Sequence, residues 1–226
     1  MRMSVKEDGN WRSFRHRNYR ILFPANAVSN IGSWAQRIAQ DWLVLELTNN
    51  NGTYLGLVTA VQFAPVLFFS LHGGKFADRF NKRKVLILTN IMGGAASLGL
   101  GVLVITDLIA LWHVFALAAV LGISTAIDAP VRQSFTTEVV GQTDLANAVS
   151  LNSANFNAGR LVGPAFSGGL IAAFGTGPSF IINGLSYFFV IAALLNLNEK
   201  AFFHMDRPKS DGNIREGIAY AKARPD

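Results

Sequence analysis

The sequence predicts an all-α integral membrane protein of six transmembrane helices, on three observations. Half of the 226 residues are hydrophobic, only 15% are charged, and the mean hydropathy is +0.30, which leaves too little charge to cover soluble domains. Six apolar stretches exceed the roughly 18 residues that carry a helix across ~30 Å of hydrocarbon. Lys and Arg gather on alternate connectors. Nothing reads as sheet, since lipid offers backbone groups no outside partner.

The first span, 21–46, follows twenty polar and basic residues. It is too long for a signal-peptide core and lacks a small-residue cleavage site, so it reads as a retained crossing. Along it Asn26, Asn30, Ser33, Arg37 and Asp41 recur every three or four positions, on one helix face. The second span, 54–74, places Gln62 before Pro65. The third, 85–106, steps Gly93, Ser97 and Gly101 by four, a spacing that lets helices approach closely. The fourth, 109–131, brings Asp128 within one turn of Arg132. The fifth, 147–174, carries Asn152, Asn155, Asn157 and Arg160, the small stripe Gly159, Gly163 and Ser167, and Pro164, where a bend or flexing point is expected. The sixth, 178–197, is smoothly apolar. Beyond it, 198–226 reads as a linker whose Ile214, Ile218 and Ala221 share a face, as in a surface helix joining two bundles.

Charge placement sets the expected topology. Six of the twenty Lys and Arg precede the first span, five lie in 75–84 and six follow the sixth span. The connectors 47–53, 107–108 and 175–177 contain none. By the positive-inside rule both termini, 75–84 and 132–146 face the cytoplasm, of a bacterial inner membrane. The chain thus divides into a cytoplasmic segment 1–20, a bundle 21–197 in contact with lipid, and a cytoplasmic linker 198–226. The net charge of +6 is spread over these connectors and forms no single solvated patch, so no nucleic-acid partner is expected. Zero cysteine excludes disulfides, thiol catalysis and Cys-ligated zinc. His16, His72, His113 and His204 lie at no metal-ligand spacing, and no phosphate loop, dinucleotide fingerprint or catalytic triad occurs. No enzyme activity, metal or cofactor is expected.

An intramembrane charge costs about 2.5–3.5 kcal/mol on insertion scales and therefore faces a partner or a water-filled cavity. Single Asn and Ser residues also serve as glue between helices. A continuous stripe with two charges favours a cavity, walled by the first, second, fourth and fifth spans. Arg37 with Asp41, and Asp128 with Arg132, are spaced to pair within their own helices. Arg160 has no such neighbour; an acid on another helix or an anionic ligand would suit it.

The chain resembles the amino-terminal half of a major facilitator superfamily transporter, in the branch of enterobactin-exporter-like and multidrug-efflux proteins. "GKFADRFNKRK" is similar to the superfamily's loop motif G-x-x-x-D-R-x-G-R-R/K, with Gly74, Asp78, Arg79, Lys82 and Arg83 in place and Asn81 at the second glycine position. Asn tolerates the left-handed conformation better than most residues. "GRLVGPAFSGG" resembles the antiporter glycine-proline motif, with Gly159, Gly163, Pro164 and Gly168, although Ser167 stands where glycine is usual. "DWLVLELT" and "DAPVRQSF" resemble the exporter branch. The fourth span, "ALAAVLGIST", lacks the family's mid-depth basic residue.

The resemblance implies one half of a twelve-helix fold that exports small molecules, drugs or siderophores for instance, by alternating access, with protons as the coupling ion. It implies a gate at Asp78, with Arg79, Arg83, Asp128 and Arg132 near it. Asn30, Arg37, Asp41, Gln62, Asn157 and Arg160 are the expected substrate or proton pathway, and a carboxy-terminal six-helix half is the expected partner. A six-helix scaffold or channel-like oligomer without coupled transport is the alternative.

Overall fold

The computed structural model describes residues 9–70 and 80–203. Gly74, Asp78, Arg79 and the linker helix after residue 203 lie outside the described residues. Among those described there is no strand. A short 3-10 helix, Arg12–Arg15, precedes α1 (Arg17–Leu47), followed by α2 (Gly52–Ser70), α3 (Lys82–Ile105), α4 (Leu111–Phe174) and α5 (Gly177–Leu195). Three of these, α3, α4 and α5, are long and apolar enough to cross a membrane by length and composition alone. The polar stripe of α1 removes it from that group.

The 64 residues of α4 are broken at Gly141, where φ is 72° and ψ is 172°. That combination is open essentially to glycine alone. Pro130 and Pro164 sit inside the run, and neither is where its dihedrals depart from helical. The turn thus falls at Gly141, not at Pro164, and the expected loop 132–146 is almost wholly helical.

Side-chain contacts give the direction of each segment. The arm 111–140 runs against α1: Val114 and Ala118 share a cluster with Ala39 and Leu43, while Arg132 reaches Asn26. The arm 142–174 runs with α1, since Tyr19 bonds Asn152, Asn30 bonds the Asn155 carbonyl, and Gly163 abuts Trp34. Gly141 is therefore the tip of a helical hairpin. Among the described residues, the other turns use left-handed Asn49, Asn50 and Asp107, and Gly175 at φ 77°. Successive helical segments alternate in direction.

Two apolar clusters close the ends of this bundle. One gathers Tyr19, Leu22, Leu86, Val131, Phe135 and Leu194 near the Gly141 tip. The other gathers Leu43, Val44, Val58, Leu100, Val114 and Phe180 at the opposite end. Large apolar side chains cover the outside, Leu161 being 78% exposed and Phe68 75%. Water would not tolerate so much exposed apolar surface; lipid tails do.

Small residues set the helix separations. A Cβ on Gly163 would stand 2.5 Å from Trp34 Cβ, and one on Gly159 would enter the Asn30 amide, so the later arm of α4 lies directly on α1. In α3, Gly93 receives the Tyr187 ring and Gly101 the Ile181 side chain, which makes that stripe a static packing surface. Gly168 has nothing within 4 Å and leaves an open face.

The Gly141 tip is held by charge. Asp144, whose side chain is 1% exposed, binds Arg15 at 2.7 Å, His16 at 2.6 Å and Arg12 at 3.4 Å. Ser13 bonds Asn147, and Phe203 packs on Gly141 while its amide donates to the Glu138 carbonyl. Lys82 pairs with Glu138. Arg83 donates to the Leu194 and Leu195 carbonyls at 2.7 and 2.8 Å and pairs with Glu199, closing the end of α5. Asn81 caps α3 by accepting from the Lys84 amide, with φ at −63°, so it serves as a helix cap and not as a left-handed stand-in for glycine.

Burial alone would raise the Asp144 carboxyl pKa, but the His16 hydrogen bond and the Arg15 charge bring it below the ordinary value. A depressed carboxylate stabilises the fold above its unfolded pKa of about 3.9, and that stability is lost as pH falls through the native value. Because Arg12 and Arg15 are partly solvated, Asp144→Asn should cost only about 1–3 kcal/mol. Thermal unfolding in detergent should show the parent losing stability below about pH 3.9 and the variant, already destabilised at neutral pH, losing less. Equal acid sensitivity would remove Asp144 from this role.

Candidate functional site

Between the two apolar clusters lies a polar layer surrounding a cavity of about 560 Å³. It is there because α1 turns Asn26, Asn30, Ser33, Arg37 and their neighbours Ser29, Gln36 and Gln40 toward the other helices. These groups must bond one another, since lipid cannot satisfy them. Gln40 Nε2 donates to Gln62 Oε1 of α2 at 3.0 Å, and Asn30 Nδ2 donates to the Asn155 carbonyl at 2.7 Å. Asn183 of α5 donates to Gln36 Oε1 at 2.6 Å and lies 3.5 Å from Ser97 Oγ of α3, joining three helices.

The charged centre of the layer is Asp128 with Arg132. Arg132 donates from Nε to Asp128 Oδ2 at 2.6 Å and from Nη2 to Oδ1 at 2.9 Å, and its Nη1 donates to Asn26 Oδ1 at 2.6 Å. Asp128 Oδ1 also accepts from Thr89 Oγ1 at 2.8 Å and Asn90 Nδ2 at 3.3 Å. A bidentate guanidinium–carboxylate pair inside a low-dielectric bundle is strong and geometrically specific. Here it fastens α1, α3 and the earlier arm of α4 together at the cavity wall.

The other expected positions divide. Asn30, Arg37, Gln62, Asp128 and Arg132 line the cavity. Asp41, Asn157 and Arg160 do not. Asn157 is exposed and bonds back to the Ser153 carbonyl of its own helix. The expected Arg37–Asp41 ion pair is not formed: Arg37 instead lies 4.7 Å from the Phe63 ring centroid and 5.5 Å from that of Trp34. Arg160 is 6.0 Å from the same Trp34 centroid. Gly159 and Gly163 belong to the contact with α1, and neither they nor Pro164 line the cavity.

The third and sixth expected spans, left out of the expected cavity wall, are also walls. They supply Thr89, Asn90, Asn183 and Tyr187. Their signal was present in the sequence as isolated polar residues within apolar runs, Asn183 in "IINGLSYFF" above all. A single amide without periodic companions does not stand out against helix glue.

A bundle of lipid-facing helices around a central polar cavity is the form of a membrane transporter. The family model described as transmembrane secretion effector matches residues 8–225, and the chain belongs to this family of the major facilitator superfamily. Its members are transporters and not enzymes. The chain is 28% identical over 182 residues to the staphyloferrin A transporter of Staphylococcus aureus, covering 80% of this chain and 46% of that protein. It is 24% identical over 209 residues to the uncharacterized MFS-type transporter YfiS of Bacillus subtilis, covering 90% and 49%. To the multidrug efflux pump Tap of Mycolicibacterium fortuitum it is 28% identical over 162 residues, covering 69% and 39%. The chain spans about half the length of the curated relatives it matches.

The Asp128–Arg132 pair makes a measurable prediction. Arg132→Gln leaves a half-buried carboxylate without its cation and should cost about 1–3 kcal/mol, after allowance for its partial exposure. Adding Asp128→Asn should recover part of that loss. A double-mutant cycle on thermal unfolding in detergent measures the coupling, and additive effects of the two substitutions would contradict the pairing.

Proposed function

We propose that the chain provides a six-crossing bundle of a secondary exporter that moves small molecules by alternating access, coupled to inward proton movement. The observation that carries this reading is the polar cavity that lies at mid-bundle between two apolar clusters. Its residues are mostly neutral hydrogen-bonding side chains, suited to holding a solute, and α2 and both arms of α4 surround it together with α1. Each arm of α4 is a separate crossing, and α1 crosses because its polar stripe is hidden from lipid. The basic residues around the Gly141 tip favour a cytoplasmic position for that end and for the amino terminus, in a bacterial inner membrane.

A second bundle completes the cavity, since alternating access rocks one bundle against another around a shared site. Gly74, Asp78 and Arg79, with Arg83 and the Asp128–Arg132 pair, form the cytoplasmic gate of this reading. Asp78 contacts that hold in one state must release in the other. Asp41 is its proton carrier: it lies one turn from Arg37, outside the cavity wall and unpaired among the described residues. The siderophore and drug relatives support small organic solutes as cargo.

Inverted membrane vesicles from cells producing the protein should accumulate a transported solute only while a proton gradient is maintained. Asp41→Asn should abolish that dependence, and Asp78→Asn should stop turnover while leaving solute binding intact. Accumulation indifferent to the gradient would contradict proton coupling. Passive, non-saturable flux would favour a channel-like oligomer.

A further inference from the structure

The Gly141 end of the bundle carries more positive charge than its own acids balance. Among the described residues four carboxylates lie toward that end, and each is engaged: Asp128 by Arg132, Glu138 by Lys82, Glu199 by Arg83, and Asp144 by Arg12, Arg15 and His16. The other described acids, Asp41, Glu46 and Asp107, belong to the opposite end, beside Leu43, Leu47 and Ile109. Four cations of the Gly141 end are left over. Arg17, Arg20, Lys84 and Lys200 take part in none of these ion pairs and in no side-chain hydrogen bond among the described residues.

The division between paired and unpaired cations follows the faces of the helices. All four unpaired side chains are exposed. Arg17 and Arg20 share a face of α1 with the exposed Pro24 and Val28, across the helix from the cavity residues Asn26, Asn30 and Ser33. Lys84 stands one turn before Leu88, and Ile91 continues that exposed face of α3. Lys200 follows the exposed Phe188 and Leu195 of α5. At its other end the α3 face finishes in exposed Val102 and Ile105, and the connectors there contain no Lys or Arg. Trp11, 54% exposed and packed on Phe14 at 5.7 Å between ring centroids, adds an amphipathic ring beside the start of α1.

A cation that ends a hydrocarbon-facing stripe stands at the depth of the lipid phosphates. Its stem lies along the acyl chains while its head reaches the headgroup. A zwitterionic lipid brings its own ammonium to that phosphate, whereas an acidic lipid leaves the phosphate charge for the protein to balance. We propose that Arg17 and Arg20, with Lys84 and Lys200, form a surface that binds acidic phospholipid headgroups in preference to zwitterionic ones. The assignment needs the bundle to lie in lipid and is independent of what the chain transports.

The whole chain in detergent micelles is titrated with phosphatidylglycerol and phosphatidylcholine of identical acyl chains, and bound lipid is counted by native mass spectrometry. Phosphatidylglycerol should be retained at least about tenfold better, and added salt should narrow the difference. Arg17→Gln combined with Arg20→Gln should weaken phosphatidylglycerol about tenfold, and replacing all four cations by Gln should remove the preference. Arg17→Lys combined with Arg20→Lys keeps the charge and should keep the preference. Since none of the four side chains bonds within the fold, helicity and thermal unfolding of these variants in phosphatidylcholine discs should stay at parental values.

Equal retention of the two lipids by the parent, an undiminished preference in the fourfold variant, or its loss in the charge-keeping variant would overturn the proposal. Displacement of phosphatidylglycerol by soluble glycerol 3-phosphate would assign the cations to a soluble anion and overturn it as well. The transporter reading fails separately, through absence of gradient-driven flux while the lipid preference persists.

Discussion

The bundle depends on one constraint: the polar side chains of α1 lie in a medium that cannot hydrogen-bond them. Each must find a partner on another helix or water in a cavity. Asn26 finds Arg132, Asn30 the Asn155 carbonyl, Gln36 finds Asn183 and Gln40 finds Gln62. Through these four bonds α1 is tied to α2, to both arms of α4 and to α5. Asn183 and Asp128 then bring in α3 through Ser97 and Thr89. The polar stripe is thus the organising element, and the apolar clusters pack the helices together on either side of it.

Close packing and openness are divided along the same helices. Where glycine faces a neighbour, as Gly159 and Gly163 face α1, backbones approach until no side chain fits between them. Where polar residues face inward without an immediate partner, the helices separate and leave the cavity. The Gly141 tip adds a third device, a backbone conformation reserved to glycine and fastened by Asp144 to the residues before α1. The amino-terminal segment is thereby tied to the turn between the two arms of α4.

Much of this was legible in the sequence. The four-residue steps of the α1 stripe, of Gly159 to Ser167 and of Asp128 to Arg132 are local periodicities, and helical geometry turns each directly into a face. What the sequence hid depends on distant partners. Arg37 has an acid at ideal spacing in Asp41 but takes aromatic rings from its own helix and α2 instead. Asn183 has no periodic companion on its helix, and its place as the junction of three helices comes from the tertiary arrangement. The stop between the two arms of α4 looked like a polar loop in composition, whereas one glycine with positive φ suffices to reverse the chain. Asp144, isolated among apolar and neutral residues, gave no sign that Arg12, Arg15 and His16 from the amino-terminal segment surround it.

The central claim is that this polar layer is a water-filled cavity within a membrane-embedded bundle. The absence of native cysteine allows each position to be tested with a single introduced thiol. Cysteines at Asn30, Gln62 and Asn183 should react with a membrane-impermeant, hydrophilic maleimide in native membranes, while cysteines at Leu161, Val102 and Phe189 on the outer surface should be protected by lipid. Protection of the first set together with labelling of the second would contradict the account.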